Sequence, residues 1–305
     1  MAHLHGYEIL GDPPAPVSSP GRGERGTITL EPATEEWIHR PGSEVVFERS
    51  DAHGTAFTIA RRGSSFVIWA RGRGSYEADP TDLRVRVSPG PDPPAWGHHL
   101  ATVVIPLLLA ERGEATLHAS GIVSGGRAIL FCGPSGRGKS TTTMLATGCG
   151  FIPLTDDAAV IARADDASPY GVCAGGAGLW ATPRVAAAAT AEPRPDAPDQ
   201  RASRRLHRPT ESQERLPGPS EVGAVVALQE RREDPLVRPL APADALPKLV
   251  PALLHVGDRR ALEASFVALA AVLEAVPAWE VAMPADLEAT RDALPGIVET
   301  LLAGP

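Results

Sequence analysis

Eight consecutive residues from Gly133 to Ser140 (GPSGRGKS) match G-x-x-x-x-G-K-[ST], the pattern of a phosphate-binding loop. Glycines let such a loop curl until successive backbone N–H groups point inward and form a nest for phosphate oxygens. Lys139 would then neutralise the β- and γ-phosphates, and the Ser140 hydroxyl would hold Mg²⁺. The residues that we expect to contact a bound nucleotide are Gly133, Pro134, Ser135, Gly136, Arg137, Gly138, Lys139, Ser140 and Thr141.

The segments on either side of this loop fit the setting that the motif requires. Ala128–Cys132 (AILFC) reads as a buried strand, and Ser140–Thr147 predicts a helix that ends at Gly148. The positive end of that helix would point at the phosphates. From the chain's own composition, a chance match has odds on the order of one in 500. The sequence therefore predicts a phosphate-binding site.

Two adjacent carboxylates, Asp156 and Asp157, follow the predicted short strand Phe151–Leu154, 17 and 18 residues after Lys139. In a parallel sheet the carboxyl ends of neighbouring strands lie beside such a loop. One carboxylate could hold Mg²⁺ while the other accepts a proton from an attacking hydroxyl. A second doublet, Asp165-Asp166, lacks this position and is typical of a turn.

Three of the histidines that precede the loop, His98, His99 and His118, are candidates for chemistry. His118, 21 residues before Lys139, stands where a strand would begin, and its residue type alone favours a backbone hydrogen bond over chemistry. His98 and His99 stand near a helix start, and neither they nor His118 has metal-ligand spacing with a third partner. We expect His98 and His99 to be structural.

Composition excludes several classes of protein. The 305 residues are 43% hydrophobic, too many for a wholly disordered chain, and the net charge of −8 argues against nucleic-acid binding by bulk charge. Three cysteines without C-x-x-C spacing indicate a reducing compartment. The first residues lack a signal-peptide pattern and the longest apolar run, Ala101–Ala110, is too short to span a membrane. We expect a cytoplasmic protein that binds no membrane.

The chain changes character near residue 112. Residues 1–112 hold short alternating segments, typical of strands joined by turns, and end in an apolar helix predicted over Trp96–Arg112. Residues 113–305 alternate strands and helices, which predicts an α/β domain. Within it, residues 186–220 carry no hydrophobic period and are expected to form a flexible loop. The predicted fold class is α/β, with a phosphate-loop core and a β-rich N-terminal region.

The order LHASGIV, strand, GPSGRGKST, helix, FIPLTDD resembles the catalytic core of the HPr kinase family. It is most similar to the HPr-kinase-like proteins associated with ribosomally made peptides such as lasso peptides. The resemblance covers residues 113–160 best and is looser over 221–305. It implies an HPr-kinase-like core and a kinase that uses ATP and Mg²⁺ to phosphorylate a hydroxyl, usually a serine, of a peptide or small protein. A ribosomal precursor peptide is one such acceptor.

Carried onto this chain, the resemblance makes Asp156 the general base, with His118 nearby and Lys139 on the phosphates. Ser140 and Asp157 would hold Mg²⁺, although the two aspartates could exchange roles. HPr kinases proper carry a further glycine-rich signature with Glu and Arg, and the corresponding stretch here, GGAGLW from Gly175, has no acidic residue. The reverse phosphorolysis and HPr itself as acceptor are therefore in doubt. Arg184, Arg204 and Arg205 could contact phosphates or be solvated loop residues.

Two other functions stay open. A kinase for a small metabolite would use the same machinery but a deep closed pocket, and a regulator or ATPase would bind the nucleotide without an acceptor. A eukaryotic-type protein kinase is excluded because the chain has no asparagine for its catalytic loop. The sequence leaves the oligomeric state open, a homo-oligomer included.

Overall fold

A computed structural model describes residues 2–11, 26–33, 42–163, 167–175, 178–190, 205–207, 216 and 218–305. These residues form a mixed α/β protein with two large sheets, of eight and nine strands, and a separate two-stranded ribbon. The predicted α/β class with a β-rich N-terminal region is confirmed. None of the helices in these ranges is long and apolar enough to cross a membrane.

The N-terminal sheet contains strands β1 (Ala2–Leu4), β2 (Tyr7–Gly11), β3 (Thr27–Pro32), β4 (Glu44–Asp51), β5 (Gly54–Arg62), β6 (Ser65–Ala70), β7 (Gly74–Asp79) and β8 (Arg84–Pro89). Its spatial order is β1-β2-β3-β8-β7-β6-β5-β4, and only the β2–β3 and β3–β8 pairs are parallel. Strand β3 shows why these segments form strands with one face in the core: buried Ile28 and Leu30 alternate with exposed Thr27 and Thr29. Strand β7 lacks that alternation because Glu77 is buried beside Arg62 and Arg86, so the sequence did not reveal it.

A buried helical segment links the two sheets. Helix α1 (Pro93–His99) continues through a π-helical turn, Leu100–Val104, into α2 (Ile105–Ala110), so the predicted helix starts three residues earlier and ends two residues earlier than expected. Pro106 has no N–H, and its ring would clash with the carbonyl four residues before it. The turn before Pro106 therefore widens, and the N–H of Ile105 reaches back to the carbonyl of Leu100.

The remaining strands are β9 (Ala115–Leu117), β10 (Ala119–Ser124), β11 (Arg127–Cys132), β12 (Ile152–Thr155), β13 (Ala159–Ala162), β14 (Gly171–Val172), β15 (Leu179–Ala181), β16 (Arg205–His207), β17 (Ser220–Leu228), β18 (Leu236–Leu240) and β19 (Ala278–Ala282). The helices are α3 (Lys139–Gly148), α4 (Pro183–Ala189), α5 (Pro242–Leu249), α6 (Arg259–Ala275) and α7 (Leu287–Ala303). Strands β15 and β16 pair only with each other.

The C-terminal sheet is buried on both faces by helices. Residues of β11 alternate between two cores: Ala128, Leu130 and Cys132 face α5 and α6, while Ile129 and Phe131 face α3, α4 and α7. A strand covered on both sides reads as a continuous apolar run, which is why AILFC was recognisable in the sequence. The sheet is therefore the middle layer of three.

The strand order at the centre of this sheet differs from the expectation that β11 and β12 are parallel neighbours. Strand β11 pairs in parallel with β17, but antiparallel β10 lies between β11 and β12. Because β10 runs against both, β11 and β12 point the same way and end at the same edge. The expectation that they are adjacent is wrong, but their carboxyl ends still share one edge.

The expected loop at 186–220 is replaced at its start by helix α4, which runs to Ala189, and in its middle by strand β16. Residues 191–204, 208–215 and 217 lie outside the described residues, as do Asp165-Asp166, Gly176-Ala177 and Arg204. The flexible loop therefore remains a prediction only for residues 191–204, 208–215 and 217.

A buried carboxylate ties β19 to two neighbouring elements. The side chain of Glu280 is 8% exposed, accepts a hydrogen bond from Lys248 Nζ at 2.7 Å, and pairs with Arg238. The Lys248 hydrogen bond is the main reason that the pKa of Glu280 is lowered, against the opposing effect of burial. We predict that Glu280→Gln lowers the free energy of unfolding by about 1–2 kcal/mol near neutral pH, since it leaves both cations without their counter-charge.

Urea denaturation measures this loss. A carboxyl whose pKa is lowered in the folded state stabilises above its unfolded pKa, and the stabilisation disappears as the pH falls through the folded pKa. The difference between wild type and Glu280→Gln should therefore shrink in acid. Glu263→Gln, which breaks the exposed Arg259–Glu263 pair, is the matched control and should change stability little. Equal effects of the two substitutions would contradict the prediction.

Candidate active site

The phosphate-loop residues connect the end of β11 to the start of α3. Gly136 and Gly138 have φ angles of 93° and 94°, a region that side-chain-bearing residues rarely adopt. Gly138 is the residue on which helix α3 begins, so the first N–H groups of α3 face the loop. The local geometry is that of a nest for an anion at a helix start.

Lys139 is a buried cation at the end of this loop, where helix α3 begins. The residue is 7% exposed, and its Nζ donates to the carbonyl oxygen of Gly133 at 2.7 Å and, more weakly, of Pro134 at 3.4 Å. Burial lowers the pKa of Lys139, although the charges of Asp156 and Asp157 oppose this shift. No ion pair among the described residues includes Lys139. A phosphate bound in the nest would supply the missing negative charge.

Ser140 and Asp156 form the pair that could hold a cation. Ser140 Oγ donates to Asp156 Oδ1 at 2.8 Å, and the backbone N–H of Asp157 donates to the same oxygen at 3.2 Å. A loop hydroxyl and a strand-end carboxylate are the protein ligands of Mg²⁺ in phosphate-loop enzymes. Among the described residues, no group of three or more His, Cys, Asp or Glu side chains is arranged so that it could hold a metal ion by itself. The donor set therefore suits Mg²⁺, which takes its other ligands from phosphate and water.

Asp157 is much more exposed than its neighbour Asp156. Its backbone adopts a left-handed conformation with φ of 71°, which turns its carbonyl towards His118, and its side chain is 41% exposed. His118 Nδ1 donates to that carbonyl at 2.7 Å. This hydrogen bond places the proton of a neutral His118 on Nδ1, so Nε2 is the acceptor. Asp157 is consequently the accessible carboxylate of the two.

His98 of helix α1 also contacts this aspartate, with its Nε2 3.9 Å from Asp157 Oδ2. Burial lowers the pKa of His98 to about 4, and the Asp157 charge opposes that shift. His99, by contrast, packs its ring against Phe57 and Tyr76. Sequence reasoning treated both histidines as structural, and it missed His98 because no motif links residue 98 to residue 157.

An arginine behind the loop was also missed. Arg231 follows β17, and a methyl group built on Gly138 would lie 3.4 Å from its Nη2. Its Nη1 donates to the Pro284 carbonyl at 2.9 Å and to Thr290 Oγ1 at 2.7 Å, which fixes the guanidinium. Nη2 is buried without a hydrogen bond among the described residues, and burial lowers the pKa of Arg231. The available signal was the position of Arg231 just after β17, the strand that pairs in parallel with β11.

A cavity of about 780 Å³ opens beside Asp157, between the N-terminal sheet and the phosphate-loop half. Strands β4 and β5 and helix α1 form one wall, and the segment Leu254–Gly257 forms another. His98, His118 and Asp157 lie at one end of the cavity. A molecule in this space could therefore approach the phosphate loop from the side of Asp157.

The predicted site residues meet at one edge of the C-terminal sheet. Lys139, Ser140, Asp156, Asp157 and His118 lie there together, brought by the ends of β11 and β12 and the start of β10. Arg137, at the loop's exposed tip, forms an ion pair with Glu230. The side chain of Arg205 lies outside the described residues, and Arg184 stands on α4. The chemical roles of all these residues stay predictions.

Comparisons with known proteins give little further information. No family model matches the chain, and no curated protein matches it. Among solved structures, the chain is similar to the HPr(Ser) kinase/phosphatase from Coxiella burnetii at 12% identity, over 62% of this chain and 93% of that chain, with a TM-score of 0.29. A TM-score this low does not establish a common fold. The case for a function therefore rests on the site's own residues.

The buried ammonium of Lys139 leads to a binding prediction. We expect Lys139→Ala to weaken Mg²⁺-ATP binding about 10- to 100-fold, the usual cost of one charge-assisted contact. The measurement is the rise in melting temperature with ATP concentration. Lys248 is the chain's only other lysine, so Lys248→Ala is the matched control and should keep the ATP-dependent rise. An unchanged rise in Lys139→Ala would show that the loop does not bind the phosphates.

Proposed function

We propose that this chain is a Mg²⁺- and ATP-dependent phosphotransferase that moves the γ-phosphoryl group to a hydroxyl of a peptide or small protein. The main observation behind the proposal is that the two adjacent aspartates have different surroundings. Asp156 bonds to the loop hydroxyl of Ser140, whereas Asp157 faces an open cavity. A nucleotide-binding protein without an acceptor has no need of a second carboxylate that lines an open cavity.

The geometry supports exchanging the roles that the sequence analysis gave to the two aspartates. Asp156 is 2% exposed and already bonded to Ser140, so it suits a Mg²⁺ ligand. Asp157 is accessible from the cavity and suits the general base, which must reach the proton that it accepts. His118 holds the backbone of Asp157 in place through its carbonyl. We therefore assign Mg²⁺ to Ser140 and Asp156, and the proton to Asp157.

In the proposed reaction, the loop N–H groups and Lys139 hold the β- and γ-phosphates, while the acceptor hydroxyl enters from the cavity. Asp157 takes the hydroxyl proton as the oxygen attacks phosphorus, and the bond from the γ-phosphorus to the bridging oxygen breaks. Bound Mg²⁺ would neutralise phosphate charge. Phosphoryl transfer needs little covalent help from protein, so positioning and charge neutralisation supply most of the rate.

The acceptor class comes from the sequence resemblance, which implies a peptide or small protein, a ribosomal precursor peptide among them, in the cytoplasm. A kinase for a small metabolite is the second candidate. The volume of the cavity, about 780 Å³, falls in the range of ordinary small-molecule pockets and favours it.

The test uses γ-labelled ATP, Mg²⁺ and the purified protein with a size-fractionated extract of its own cells. Lys139→Ala runs in parallel. Label on a peptide or small protein, absent with the variant, supports the proposal. Label on a metabolite fraction supports the second candidate. Free phosphate alone overturns both and leaves an ATPase.

Separate substitutions of the aspartates test the assigned roles. We predict that Asp157→Asn lowers kcat at least ~100-fold with little change in Mg²⁺ requirement, the scale of general-base loss. Asn tolerates a positive φ, so this variant keeps the backbone of Asp157. Asp156→Asn should instead raise the Mg²⁺ concentration needed for half-maximal rate. Steady-state kinetics over a Mg²⁺ series separates the two, and the opposite pattern would restore the original assignment.

Arg231 is expected to contact the nucleotide phosphates through its buried Nη2. We predict that Arg231→Gln lowers kcat about 100-fold, as loss of one preorganised donor does, and that Arg231→Lys retains part of the rate. The control is Arg232→Gln at the exposed neighbouring position, which should leave kcat unchanged. If both Gln variants keep full activity with normal unfolding curves, Arg231 only anchors Pro284 and Thr290.

A further inference from the structure

The outer wall of the cavity is an exposed strand with apolar side chains. All eight residues of β4 are exposed, and Val45, Val46 and Phe47 are among the few large hydrophobic residues at the described surface, at 53%, 40% and 49% exposure. A register shift between Val45 and Phe47 disturbs the normal alternation, and both Val46 and Phe47 line the cavity. Apolar groups exposed together mark an interaction site more often than scattered ones.

Two arginines make the polar part of the cavity lining positive. Arg49 of β4 and Arg73, before β7, line the cavity, while Asp157 is the only carboxylate among the described lining residues. No ion pair of the described residues includes Arg49 or Arg73; Asp51, near Arg49, is already bonded by Arg71. Because the whole chain carries a net charge of −8, this positive lining is a local feature.

We propose that β4 and the cavity behind it form the docking surface for an extended acceptor peptide with apolar and acidic side chains. Apolar side chains would pack on Val46, Phe47 and Phe57, and acidic ones would pair with Arg49 and Arg73. A linear exposed strand leading to Asp157 suits an extended chain better than a compact metabolite. The N-terminal sheet thus selects the acceptor. This inference rests on the proposed function, since it describes the acceptor of the same site.

Fluorescence anisotropy without nucleotide tests the surface with two labelled, end-blocked peptides. Both carry one central serine flanked by valine and phenylalanine, and they differ only in having glutamates or lysines at the remaining positions. The glutamate peptide should bind about 10-fold more tightly, because it can form charge pairs with Arg49 and Arg73 whereas the lysine peptide is repelled by them. The preference should fall as salt rises.

Two variants and one control locate the effect. The preference should disappear in the double variant Arg49→Gln/Arg73→Gln, and Phe47→Ser should weaken both peptides. Arg84→Gln alters an exposed arginine of β8 outside the cavity and should keep the preference. Each variant should retain the ATP-dependent rise in melting temperature, which shows that it is folded.

Equal binding of the two peptides, failure of both to bind, or a preference that persists in the double variant would overturn the docking surface. So would dimerisation of the wild type that is abolished by Phe47→Ser, since the strip would then be covered by a second copy. If the glutamate peptide binds but the extract assay shows no phosphate transfer, the docking surface is supported and the proposed kinase function is overturned. If a protein is labelled in that assay but neither peptide is preferred, the kinase function is supported and the docking surface is overturned.

Discussion

The site is arranged around one constraint: the ammonium group of Lys139 is buried, and its hydrogen-bond partners are uncharged backbone carbonyl groups. Taking a cation out of water costs several kcal/mol unless a counter-charge is present. The carbonyl of Gly133 offsets only part of this cost, and burial raises the pKa of the neighbouring Cys132 thiol to about 12, so it stays neutral. The aspartates act from further away. An anion bound beside Lys139 would supply this counter-charge and would stabilise the loop between β11 and α3.

The C-terminal sheet meets this constraint by bringing three chain segments to one edge. Since antiparallel β10 separates β11 from β12, the edge receives two strand ends and one strand start. The strand ends supply the phosphate loop and the acidic pair, and the strand start supplies His118. Thr143 of α3 also donates to Ser120 of β10 at 2.9 Å, which fixes the helix against the strand next to the loop.

Local patterns in the sequence sufficed to predict strand β11, the glycine-rich turn after it and helix α3, because each depends on nearby residues. The apolar run of β11 and the glycines of the loop are such patterns. The order of β10, β11 and β12 depends on pairing across the sheet, which no local pattern encodes. His98 and Arg231 reach the site from α1 and from the end of β17, and only the packing of distant elements reveals them. Strand β7 could not be recognised in the sequence because the charged Glu77 is buried there, and its burial depends on arginines of other strands.

A buried ion pair explains how the N-terminal sheet can take part in the site. The carboxylate of Glu111, 3% exposed, pairs with Arg61 of β5 and accepts the backbone N–H of Val256 at 2.9 Å. Arg61 also donates to the Val256 carbonyl at 3.3 Å. Separating β5 from this segment would leave a buried charge unpaired, at a cost of about 3–5 kcal/mol. Because Val256 and the neighbouring Leu254 line the cavity, the same contact fixes the distance between its walls. In the proposed function, an acceptor would therefore enter past the exposed strand β4, because the two sheets stay joined at this contact.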